Sequence, residues 1–329
     1  MKKNKLNNNV GFTLIEMLIG IAISSLMMAA MYTTYSVVNN SYSQVTDRAK
    51  ISRSGRDIIG MLVRDIRLAG FKYYNGVNVA GIPKNDYLQY VGGDSSVKDS
   101  HDPIIIVKDE LGYTTDTSET SLTDKHNVVK EDGVWVDSET EDMCCDKIHI
   151  VYGDFDQNNL EQPYKRYKIT YFAQQRSSGN DKTYGIYKTK ESWIQKIQAD
   201  GTIEASGSWT ADPTLCPECY SSELIRDHLT DMEFNAFGNQ GKILNPPPSP
   251  DNPSTRGDLY NIKIVDVRLT FRSKGEFFRD TPKKEEGEPG RLVKGLSDRG
   301  GKRTREFFDK FLRDSVVVTV HTRNIGAGN

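Results

Sequence analysis

Gly11-Phe12-Thr13-Leu14-Ile15-Glu16-Met17-Leu18 opens a stretch in which no Asp, Glu, Lys or Arg occurs from Met17 to Thr46. That run exceeds the roughly 20 apolar residues a helix needs to cross a bilayer. Lys2, Lys3 and Lys5, then polar Asn7 to Asn9, precede it, the order of an export signal. A conventional signal peptide carries its small-residue cleavage site after the apolar stretch, where Ala29 and Ala30 would serve and the product would start near Met31. Glu16 argues against that scheme. A carboxylate at the head of an apolar segment costs on the order of 2.5 to 3.5 kcal/mol even on lenient insertion scales, and a disposable signal has no reason to carry it.

Outward from this stretch, the pattern predicts a helix with two characters. Residues 12–38 read as transmembrane, and residues 39–71 as amphipathic. In the second half Ile58, Leu62, Ile66 and Ala69 fall on one stripe, with Arg53, Arg56, Asp57, Arg64 and Asp65 mostly off it. The first proline is Pro83, so nothing earlier removes a backbone donor; Gly20, Gly55 and Gly60 are soft points, and Gly70 is a helix stop. Phe12 to Gly70 as one helix would be a rod of roughly 90 Å at 1.5 Å per residue, half in lipid and half packed on a domain.

The octapeptide from Gly11 to Leu18 resembles the N-terminal cleavage and methylation motif of type IV prepilins and type II secretion pseudopilins. The resemblance implies a leader of residues 1–11, a prepilin peptidase cut after Gly11, N-methylation of the new N-terminal Phe12, and retention of the apolar helix. It also gives Glu16 a reason. In a stack of subunits the Phe12 amine of one can pair with the Glu16 carboxylate of its neighbour inside an apolar bundle, where burial strengthens the attraction and punishes its absence. The alternative is that Glu16 snorkels at headgroup depth. The run Met61-Leu-Val-Arg-Asp-Ile-Arg-Leu-Ala-Gly-Phe71 is similar to the helix end of PilW-type minor pilins. That family implies a membrane-held subunit whose partners are the prepilin peptidase, other minor pilins, the major pilin and an inner-membrane assembly platform. Its body would be periplasmic and then part of a pilus at the cell surface. The rival implications are a minor pseudopilin of the J class in type II secretion, and an adhesin or DNA-uptake protein that uses the stalk as an anchor.

After Phe71 short β-branched or alternating runs separate polar loops: Ile104 to Val107, Val134 to Val136, Ile148 to Tyr152, Tyr167 to Phe172, Tyr184 to Lys188, His228 to Phe237, Ile262 to Phe271 and Val316 to Thr322. They predict a globular body over 72–329, mainly antiparallel sheet packed on the second half of the helix. The fold class is therefore α+β with a helical stalk. A hairpin closed by Ser177 to Asn180 is expected between two of the runs. Asn245-Pro-Pro-Pro-Ser-Pro250 and Lys283 to Glu288 read as surface insertions. Lys302-Arg303-Thr304-Arg305, with Phe307 and Phe308, reads as a solvated helix face before it reads as a contact for DNA or an acidic partner.

Chemistry-bearing groups are few. The four cysteines are Cys144, Cys145, Cys216 and Cys219. In an exported domain they read as two disulfides, either Cys216 closing on Cys219 or the two sites cross-paired. Zinc suits vicinal cysteines badly, and redox catalysis lacks its βαβ context. Asp154, Asp156 and Asn158 place oxygen ligands at alternate positions, with Glu161 three residues further on, as a calcium loop would use, and the resemblance to PilW-type proteins implies an Asp/Asn-rich turn here. Lys165 stands where an EF-hand needs its bidentate glutamate, so only a looser calcium site or a plain polar turn remains. No other cofactor is expected. The five histidines are scattered, and no nucleophile elbow or phosphate loop appears, so nothing argues for an enzyme. A net charge of −2, from 43 basic and 45 acidic residues, supplies no field to draw nucleic acid. Loss of the three leader lysines would make it more negative still.

Overall fold

The computed structural model describes residues 13–71, 102–108, 129–131, 134–136, 145–155, 164–176, 183–197, 203–278, 280–283, 287–296 and 304–325. Two compact units divide the chain, Met1–Lys50 and Ile51–Asn329. Helix α1 (Leu14–Leu68) supplies nearly all of the described residues of the first unit and begins the second. In the first unit every described residue from Thr13 to Gln44 is exposed, apolar side chains included.

In the second unit α1 behaves as its periodicity requires. Ile58, Leu62, Ile66 and Ala69 are buried at 4%, 0%, 0% and 0% exposure, so the predicted stripe is the packed face. Gly55 is not a soft point but a close approach: a Cβ there would meet Val316 Cγ2 at 2.8 Å. The helix ends where the sequence places its stop, with Gly70 at φ +70 and Phe71 N–H donating to the Leu68 carbonyl at 2.8 Å.

The strands are β1 (Ile104–Val107), β2 (Val129–Glu131), β3 (Val134–Val136), β4 (Lys147–Phe155), β5 (Tyr164–Gln175), β6 (Tyr184–Ile197), β7 (Ile203–Thr210), β8 (Tyr220–Phe237), β9 (Ile264–Arg272), β10 (Arg291–Val293), β11 (Arg305–Phe307) and β12 (Arg313–His321). One eight-stranded sheet runs β1-β4-β5-β6-β8-β9-β12, with β7 also paired to β6. Every pairing in it is antiparallel, so the fold is α+β as expected. The Gly70 N–H donates to Val151 at 2.8 Å and the Gly153 N–H to Phe71 at 2.7 Å, which ties the chain leaving α1 to β4. Ile148, Ile150, Tyr171, Ile186, Met232, Phe234, Val265, Val267 and Leu269 complete the core.

The structure corrects or extends several expectations. Residues 305–307 form a strand paired with β10 rather than a helix face, and Lys302 and Arg303 lie outside the described residues. β7 was not legible because Ser206-Gly207-Ser208 reads as loop; it is held by β6, where Trp193 faces Trp209 with ring centroids 5.2 Å apart. The expected turn at 177–180 lies outside the described residues, yet Gln175 pairs with Tyr184 on either side of it. Cys216 bonds to Cys219, so that loop closes on itself and cross-pairing to the 144–145 site does not occur through either sulfur. Cys145 is disulfide-bonded and buried, while Cys144 lies outside the described residues.

Asp65 overturns its assignment off the stripe, for it is 1% exposed. Its Oδ2 accepts from Tyr171 Oη at 2.6 Å and from Lys188 Nζ at 2.7 Å. Burial, and then the Asp65 carboxylate, push the Tyr171 phenol far above its ordinary value, so it stays an O–H donor.

Candidate functional site

Thr13 is the residue before α1, and the local chemistry makes it a cap. Its N–H and its Oγ1 both donate to Glu16 Oε2, each at 2.8 Å, while the Glu16 N–H donates to Thr13 Oγ1 at 3.3 Å. This reciprocal arrangement, Thr-x-x-Glu, is a capping box that satisfies two of the N-terminal donors a helix leaves unpaired. A negative charge in the first turn also complements the helix dipole. The sequence reading missed the role of Thr13, although the spacing to Glu16 was the available signal.

Past Glu16, the exposed helix surface dips where Gly20 has no side chain. Nothing lies within 4 Å of the position its Cβ would take, and Met17, Ile21, Ser24, Ser25 and Met28 line an open groove that begins at Glu16. The hydroxyls in this part of α1 turn back on their own helix: Ser24 donates to Gly20 O at 2.7 Å, Ser25 to Ala22 O at 2.8 Å, and Thr33 and Thr34 to Ala30 O at 2.8 and 2.9 Å. These four hydroxyl hydrogens are thus satisfied without water, as a lipid or protein-packed environment demands. α1 is the one helix among the described residues long and apolar enough to cross a membrane, and its apolar window is wholly unburied.

Gly11 and Phe12, the cleavage pair expected from sequence, lie outside the described residues. Residues 7–32 match the family model described as the prokaryotic N-terminal methylation motif. The chain carries a prepilin-type methylation motif. The matched segment holds Gly11, Phe12, the Thr13–Glu16 cap and the groove behind it, so the comparison and the geometry fall on the same residues. Among solved structures, a type IV-like pilin from Thermus thermophilus aligns over 55% of this chain and 80% of its own at 11% identity and a TM-score of 0.24, too loose a superposition to support an argument. No curated protein matches the chain.

Asp154 is exposed near the end of β4, opposite Lys165 in register, and Asp156, Asn158 and Glu161 lie outside the described residues. Among the described residues no three His, Cys, Asp or Glu side chains cluster to hold a metal. Glu218, inside the Cys216–Cys219 loop, accepts from Lys190 Nζ at 2.8 Å and from Tyr167 Oη, pinning that loop to β5 and β6.

His149 has a measurable consequence. Its Nδ1 lies 2.8 Å from Thr170 Oγ1, and burial, followed by the charges of Lys147 and Lys168, holds the imidazole well below its ordinary value. The folded chain keeps it neutral while the unfolded chain protonates near pH 6.5, so its contribution is intact above that pH and is lost as pH falls below it. Thermal melts of the full-length chain in detergent between pH 7 and 5 should show stability falling at up to about 1.4 kcal/mol per pH unit from this one group. His149→Gln should flatten that slope; an unchanged slope would reject the assignment.

Proposed function

We propose that this chain is a minor pilin that works in type IV pilus assembly, in a priming or tip complex. On this reading residues 1–11 are a leader removed by prepilin peptidase after Gly11, residues 12–38 anchor the protein in the inner membrane, and residues 72–329 form the exposed body. The partners are other minor pilins, the major pilin and the inner-membrane assembly platform. The role is one of assembly, not catalysis. The observation that carries it is Glu16: one carboxylate at the head of the exposed stretch from Met17 to Gln44, which holds no other charge, lying inside the matched motif and bonded to its own cap residue Thr13.

The physical case is that an exposed apolar helix of this length needs lipid first and other helices later. The Gly20 groove next to Glu16 lets a neighbouring backbone come close, the way small residues admit helix contacts in membranes. A body this large relative to its anchor fits a tip or initiating position better than one repeated along a tightly packed filament, which supports the minor-pilin reading.

N-terminal sequencing with intact mass of the protein recovered from membranes tests it. The expected product begins at a methylated Phe12. A product beginning near Met31 would make the apolar stretch a discarded signal and end this reading.

A further inference from the structure

Lys108 follows β1, and its amine is gripped by groups far away in sequence. Nζ donates to Asp146 Oδ2 at 2.9 Å, to Asn235 Oδ1 at 2.8 Å and to the Phe234 carbonyl. Asp146 is completely buried and Lys108 is 28% exposed at its side chain. The carboxylate is held in place: Oδ2 also accepts the Phe234 N–H at 2.8 Å, and the Asp146 N–H donates to Met232 O at 2.8 Å. A carboxamide and a carboxyl group thus each lie at hydrogen-bond distance from one amine, the carboxylate fully buried and the other two groups partly buried. They come from the end of edge strand β1, the start of β4, and β8, and β1 and β8 are not neighbours in the sheet.

We propose that Lys108 and Asn235 join in an intramolecular amide cross-link, with Asp146 as the group that moves the proton. The Lys108 ammonium gives one proton to Asp146. The neutral Nζ attacks Asn235 Cγ, a carbon–nitrogen bond forms, and the carbonyl electrons move onto Oδ1. The tetrahedral centre collapses, the Cγ–Nδ2 bond breaks, and Nδ2 takes the second proton released by Nζ together with the one Asp146 holds. Ammonium leaves, Asp146 is again a carboxylate, and no oxidant or reductant is consumed. Lysine is a competent nucleophile once neutral, a positioned carboxyl is a competent proton carrier, and holding the reactants in contact supplies the effective concentration an amide exchange otherwise lacks.

The bond would span 127 residues of sequence and fasten the short edge strand β1 to a central one. Closing so long a loop restricts the unfolded chain strongly. It would also stop the edge from peeling under load, which a hydrogen-bonded strand of four residues cannot do alone. The inference does not depend on the assembly role.

Intact mass spectrometry of the purified full-length chain, with disulfides reduced, decides the matter. The expected mass, calculated from the N-terminus actually found, is low by one ammonia, and a digest should yield one branched peptide containing both Lys108 and Asn235. Lys108→Arg and Asn235→Ala should each return the mass of their own sequence, and Asp146→Asn should lose most of the cross-link. Full sequence mass for the parent, with Lys108 and Asn235 recovered in separate peptides, overturns the proposal. A parent that is cross-linked together with an equally cross-linked Asp146→Asn overturns the role given to Asp146. Should Asp146→Asn fail to fold, the parent's mass still decides whether the bond exists.

Discussion

Asp65→Ala should lower the melting temperature of the full-length chain in detergent by roughly 10 °C. The reason is what the substitution leaves behind. Lys188 is 6% exposed at its side chain and Asp65 is 1% exposed, so the pair is fully withdrawn from water. Removing the carboxylate strands an ammonium between α1 and the sheet, and breaking a buried pair from one side costs about 3 to 5 kcal/mol. The Tyr171 hydroxyl, 2.6 Å from Asp65 Oδ2, loses its acceptor as well. Arg64 also lies 3.4 Å from Asp65 Oδ1, but its side chain is 71% exposed and water replaces that contact at little cost. Lys188→Met alone should cost less than Asp65→Ala, because Asp65 keeps the Tyr171 and Arg64 contacts. The double change Asp65→Leu with Lys188→Met should recover much of the loss, since apolar replacement of a buried pair is often neutral. A shift in the melting temperature of Asp65→Ala no larger than that of an exposed control such as Asp57→Ala would show that the pair does not hold α1 to the sheet.

Why Asp65 escaped a reading that found its neighbours is instructive. Ile58, Leu62, Ile66 and Ala69 recur at helical spacing, so their shared face is visible in one stretch of sequence. A charge beside that stripe reads as solvated unless its partner is known, and Lys188 stands 123 residues away on β6. The same limit explains Lys108, Asp146 and Asn235, each unremarkable in its own segment and brought together only by the curl of the sheet. Strand cores such as Ile104–Val107 were legible because alternation and β-branching are local, whereas β4, β5, β6 and β8 all extend past their apolar runs. Those extensions are polar on the sequence but paired in the ladder, where backbone bonds and a neighbouring strand decide the matter rather than side-chain type. At the candidate site the situation is reversed. Glu16 and its apolar surroundings are contiguous, so the sequence revealed the anomaly, and the Thr-x-x-Glu spacing that signals the Thr13 cap is equally local, although the bonds themselves come from the geometry.

That geometry sharpens the test of assembly, because it separates two duties of Glu16. One is to cap its own helix through Thr13; the other, on the proposed function, is to present a negative charge to the Phe12 amine of a neighbour. Glu16→Ala removes both and should abolish incorporation into surface fibres while the protein still accumulates in the membrane. Glu16→Gln keeps a side-chain oxygen for the Thr13 donors, and glutamine serves the capping box nearly as well. It lacks the charge, so it should fail in fibres almost as completely as alanine. Thr13→Val removes the hydroxyl but leaves the carboxylate, and a lost cap costs about 0.5 to 2 kcal/mol, so the first turn should fray and incorporation should drop only partly. The ordering rests on the dielectric around the pair: in an apolar bundle an unpaired amine or carboxylate is far costlier than a missing cap. Quantifying each variant in sheared fibres against its level in membranes measures the difference directly. If Glu16→Gln is incorporated like the parent while Thr13→Val is not, the carboxylate matters as a cap and the pairing between subunits has to be abandoned.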